Sequence, residues 1–123
     1  MLKRLAILLL GLATLAAAAP ARAQHFSQTQ AVAGQSYVSY PDVPLAAGAP
    51  AVQVLAANPN RVTAICQNLG TSNTARVGDA GIGAVQGAVL YGNGAGITID
   101  VTGAVYAYSA SGTTINCAEI VRQ

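Results

Sequence analysis

"RVTAICQNLG", residues 61–70, reads as a short β-strand that runs into a turn, with Cys66 near its end. The only other cysteine, Cys117, sits in a similar run, "TTINCAEIV" at 113–121. Two cysteines in two strands can serve a metal, a redox reaction or a clamp. Which of these applies largely decides whether the chain does chemistry.

The surrounding sequence has the same grammar. Residues 51–57, "AVQVLAA", read as a strand, and "NPN" at 58–60 as a turn, because proline presets φ and asparagine tolerates turn conformations. Further short strands are expected at 74–79, 88–91, 96–101 and 104–110, and the last at 113–121. Glycine-rich loop fills most of 80–96, and "GNGAG" at 92–96 reads as a β-turn region. No segment after residue 23 holds a helical period with caps. Short strands separated by tight Gly, Asn and Ser turns predict an all-β fold: a small antiparallel β-sandwich or barrel of about six to eight strands. The last three strands read as a meander.

The N-terminus is of another kind. Residues 1–23 combine Lys3 and Arg4, an apolar stretch and a small-x-small "ARA" end, the pattern of a cleaved signal peptide. Export to the periplasm, cell surface or medium follows, with no membrane insertion after cleavage. Residues 24–50 carry three prolines and weak alternation, and read as an extended arm or linker with one strand near 36–40. The domain proper is expected at 51–123.

Cleavage changes the charge. The mature chain keeps Arg61, Arg76 and Arg122 against Asp42, Asp79, Asp100 and Glu119, a net charge of −1. It therefore lacks the basic footprint of a nucleic-acid binder. Small residues dominate and Phe26 is the only Phe, so the core should be thin and helped by a disulfide or by self-association.

The cysteines then resolve as a clamp. A structural zinc needs about four Cys or His ligands, and the chain has two Cys and His25. A thioredoxin-type site needs Cys-x-x-Cys, and the two are 51 positions apart. In an oxidising compartment an even count reads as a disulfide, Cys66–Cys117.

No other constellation assembles a catalytic or cofactor site. His25 near the new N-terminus resembles one half of a copper-binding histidine brace, but no second histidine exists. Asp100 and Glu119 could form a two-carboxylate pair, yet structural pairing with Arg61 or Arg76 is the plainer reading. Neither a G-x-S-x-G elbow nor a phosphate loop is present. Tyrosines cluster at Tyr37 and Tyr40 and again at Tyr106 and Tyr108. Exposed, they would form a platform for a glycan or a protein partner; buried, they would be core or subunit interface, which is the reading preferred here.

The runs "LAANPNRVTAICQNLGTSNTARVGD" and "GITIDVTGAVYAYSASGTTINCAEI" resemble small β-modules of tailed-phage virion accessory proteins, such as capsid-surface fibres. The resemblance covers roughly residues 55–120. It implies a structural or adhesive role without catalytic residues, with Asn58, Pro59, Arg61, Asn68 and Gly70 shaping turns and anchoring a strand. The signal peptide and the cysteine pair depart from that pattern and suit an exported role.

The sequence thus predicts an exported structural or adhesive β-domain that needs no cofactor. It would act through self-association, as a homo-oligomer, or through a cell-surface partner; in one variant, residues 31–40 complete a neighbour's sheet. The alternative is a monomeric secreted module binding carbohydrate or protein through Tyr106, Tyr108 and the glycine-rich loop. A small enzyme or inhibitor is the third reading.

Overall fold

A computed structural model describes residues 34–123. The signal-peptide segment, His25 and the first part of the arm lie outside the described residues. Nine strands follow in order: β1 (Gln35–Ser39), β2 (Val43–Leu45), β3 (Val52–Leu55), β4 (Arg61–Asn68), β5 (Ala75–Gly78), β6 (Ala88–Leu90), β7 (Gly96–Ile99), β8 (Val105–Tyr108) and β9 (Thr113–Arg122). Burial alternates along β5 and β8 and along most of β4. Period-two burial is what a sheet with one wet face requires.

The strands form two antiparallel sheets. In one, β1 and β2 share an edge of β9, followed by β4 and β7; in the other the order is β3-β8-β5-β6. The pairs β5·β6, β4·β7, β3·β8 and β2·β9 are nested one inside the next along the chain. The chain therefore behaves as one long hairpin wound into two layers, which is the jelly-roll order of a β-sandwich. A fold of this kind does not by itself imply a function.

The nesting overturns the expected meander. β7 and β9 lie in the first sheet and β8 in the second, so the chain crosses between layers at each turn. "TG" and "SG" supply tight turns, but each inner face must meet the opposite layer to bury its apolar side. That requirement pulls successive strands apart. The segment read as an arm is, from Gln35 to Leu45, part of the first sheet, where β1 and β2 pair with β9. Pro41 and Pro44 interrupt its alternation, and proline is at home on such an edge.

Between the sheets lie Leu45, Val54, Leu55, Ala64, Cys66, Ala75, Val77, Leu90, Val105, Ala107, Ile115 and Cys117. Alanine and cysteine fill five of these twelve positions, so the two layers meet over a thin core. Cys66 and Cys117 are directly opposite each other on β4 and β9, bonded, with Cα atoms 4.1 Å apart. The clamp fixes the central strand pair of one sheet rather than joining the two sheets.

Candidate functional site

β4 begins and ends with a buried polar residue. Arg61 opens it, held in place by the preceding turn: Pro59 sits between Asn58 and Asn60, the Arg61 amide donates to the Asn58 carbonyl at 3.0 Å, and the Asn60 amide donates to Asn58 Oδ1 at 3.0 Å. The guanidinium then turns inward. Its Nε donates to Glu119 Oε2, Nη1 to the carbonyls of Val101 (3.0 Å) and Gly103 (2.8 Å), and Nη2 to that of Ala56 (2.5 Å). Glu119 Oε1 accepts from Tyr40 Oη at 2.5 Å and from Asn58 Nδ2 at 2.9 Å. One ion pair thus gathers the β3–β4 and β7–β8 loops and the β1–β2 connection at one end of the sandwich.

Both partners are sealed, with side-chain exposures of 1% and 2%. Burial pushes the Glu119 carboxyl up, but the hydrogen bonds from Tyr40, Arg61 and Asn58 outweigh it and hold the group below the usual carboxylate range. The Tyr40 hydroxyl is raised, first by its bond to Glu119 and then by burial. Glu119 therefore stays ionised, engaged and away from water, and Asp100 is exposed.

Asn68 closes the other end. It is fully buried, donates from Nδ2 to the carbonyls of Asn73 (2.8 Å) and Leu90 (3.1 Å), and accepts at Oδ1 from the Gly70 amide (3.0 Å) and Thr113 Oγ1 (2.7 Å). All four bonds an asparagine amide can make here are made. Gly70 lies so close to Thr113 Oγ1 that a Cβ would collide with it. Nearby, Asn93 and Gly94 take positive φ (70° and 83°), and the Gly94 amide donates to the Asn68 carbonyl at 3.0 Å. This is the "GNGAG" turn.

The tyrosines divide. Tyr40 belongs to the buried network, a place that no local pattern around it signals. Tyr37 is 52% exposed and stands across from Ile120 on the first sheet. Tyr106 and Tyr108 are half-buried and point outward from the second sheet, since Val105 and Ala107 take the inward positions. Of the expected core or subunit-interface placement, core does not hold for this pair: strand alternation gives the inward places to the smaller Val105 and Ala107, which the thin interlayer space accepts.

Around Tyr106 and Tyr108 the register builds a face. Gln53, Tyr106 and Gly78 lie in one row, with Tyr106 Oη 3.4 Å from Gln53 Oε1. Tyr108, Arg76 and Val89 lie in the next. Ile82 of the β5–β6 loop sits over Gly78, and Arg76 Nη1 donates to the Gly87 carbonyl at 3.2 Å, so that loop folds onto the same face. Arg76 and Gln53 join this surface by pairing with β8 from strands distant in sequence, for which local patterns carry no signal, whereas Val89 and Ile82 join it through the β5–β6 hairpin and its loop.

A second feature is an apolar cleft of about 510 Å³ between the layers, where β7 faces β5 and β8. Among the described residues no three His, Cys, Asp or Glu side chains come together as a metal site. Comparison of the chain with protein-family models, with curated proteins and with solved structures found no match.

Proposed function

We propose that the mature chain is an exported, non-enzymatic structural or adhesive domain that acts by self-association or by contact with a cell-surface partner. The observation that carries this reading is the outward face of the second sheet, where Tyr106, Tyr108, Arg76, Gln53 and Val89 lie side by side. Tyrosine and arginine are enriched where proteins meet, because each offers a large contact area with a polar end. By contrast, the one buried acid is occupied in holding loops together. Export is supported by the signal-peptide pattern of residues 1–23 and is compatible with the disulfide.

The same face favours one second reading, a monomeric glycan-binding module. A tyrosine ring beside Gln53 and Arg76 offers stacking together with hydrogen-bonding groups. Jelly rolls include both viral capsid and lectin domains, so the strand order suits the phage-module resemblance and the glycan reading equally.

Sedimentation of the wild type and of Tyr106→Ala/Tyr108→Ala separates the readings. An oligomer that the double variant dissolves supports association through this face. An oligomer indifferent to the change removes the face from the account. A monomer that binds cell-wall glycans, and stops binding on substitution, establishes the second reading.

A further inference from the structure

The flank of the sandwich between β6 and β7 is built differently from the rest. β7 ends the first sheet and β6 the second, so among the described residues neither has a neighbouring strand on that side. Ile97 and Ile99 point inward from β7, in register with the buried Cys66 and Ala64, yet both remain partly exposed. They face Val77 and Val105 across the cleft, which Ala88, Ala104 and Val101 complete. Its volume, about 510 Å³, falls in the range of small-molecule sites, and its walls have their character: mostly apolar with few polar groups.

The charged groups of the lining are Asp79 and Asp100, at the ends of β5 and β7. Among the described residues no basic side chain lines the cleft. Arg61 is committed to Glu119, and Arg76 lies on the outward face of the second sheet. Asp79 Oδ1 accepts the Gly81 amide at 2.8 Å, and among the described residues neither aspartate forms an ion pair. An apolar trough with two uncompensated carboxylates complements a molecule with an apolar body and a positive head.

We infer that this cleft is a binding site for a small amphiphilic amine, its hydrocarbon part against Ile97, Ile99, Val77 and Val105 and its ammonium between Asp79 and Asp100. The site is separate from the tyrosine face and does not depend on the role proposed for that face. The carboxylates act as an electrostatic filter: an anionic amphiphile of equal length would meet the same walls and the wrong charge.

The test uses n-octylammonium and octanoate with the mature protein, followed by the methyl NMR signals of Ile97 and Ile99. Octylammonium should shift these signals saturably and bind about fivefold more tightly than octanoate, as two solvent-exposed ion pairs allow. Asp79→Asn/Asp100→Asn should abolish that difference; asparagine keeps the oxygen that receives the Gly81 amide, so the loop is preserved. Absence of binding, equal affinity for the two head groups in the wild type, or shifts away from the cleft would overturn the inference. So would a dimer in which β7 pairs with a second copy and excludes the probe.

Discussion

Arg61 and Asn68 are the first and last residues of β4, and each is the buried centre of a hydrogen-bonded hub that ties loops together at its own end of the sandwich. Between them lies Cys66, bonded to β9. A single eight-residue strand therefore carries the fastening of both ends and of the sheet centre. In a thin-cored domain these polar fastenings do what larger side chains do elsewhere.

Glu119→Gln should destabilise the domain by about 3–5 kcal/mol, because it leaves the Arg61 guanidinium buried without its counter-charge. The double variant Arg61→Met/Glu119→Gln should recover part of that loss. Urea unfolding of the two variants and the wild type checks this; equal stability of the single variant and the wild type would mean the pair is not sealed as described.

Stability should fall at both extremes of pH through the same network. Glu119 has a folded pKa below its unfolded value, so its contribution is complete above the unfolded pKa and is lost as pH falls through the folded one. Tyr40 has a raised pKa, so its contribution is complete below the unfolded value and is lost as pH rises through the folded one. Tyr40→Phe should cost about 2 kcal/mol near neutrality, as loss of a hydrogen bond to a charged group does, and should flatten the alkaline limb. Thermal melts across the pH range measure both limbs.

Asn68→Ala should cost about 3 kcal/mol, since it leaves the Gly70 amide and the Asn73 and Leu90 carbonyls without their side-chain partner. Asn68→Asp should also destabilise, because an ionised aspartate accepts but cannot donate to the two carbonyls. Hydrogen exchange should report loosening in the 69–74 and 91–95 loops before the strands; uniform loosening would argue against a local hub.

Cys66→Ala/Cys117→Ala should cost about 4 kcal/mol in the chain-entropy account of a 51-residue separation. Both cysteines are buried, so a mild reductant should leave the native bond intact and cleave it only after unfolding. Thiol titration with and without denaturant reads this directly.

How much the sequence revealed depends on distance along the chain. Period-two patterning marks strands locally, and β4, β8 and β9 were legible for that reason. The clamp was legible because two cysteines allow only one intramolecular pairing. β2 was not, because Pro44 breaks the pattern in three residues. The nested pairing was not, because only β5 and β6 pair across one local loop, and every other contact joins strands whose alternation fits several partners. Site residues followed the same rule. Asn58 and Arg61 stand in a recognisable turn, whereas Tyr40 reaches Glu119 from 79 positions away and looks in sequence like any surface tyrosine. The outward placement of Tyr106 and Tyr108 needed the knowledge of which face of β8 meets the other layer.

The most direct measurement is a native mass spectrum of the exported protein without reductant. The account predicts a multiple of the chain that begins at Gln24, lighter by two hydrogens per chain, and its collapse to monomer in Tyr106→Ala/Tyr108→Ala. A monomer in the wild type would contradict self-association, and two free thiols per chain would contradict the Cys66–Cys117 clamp between β4 and β9.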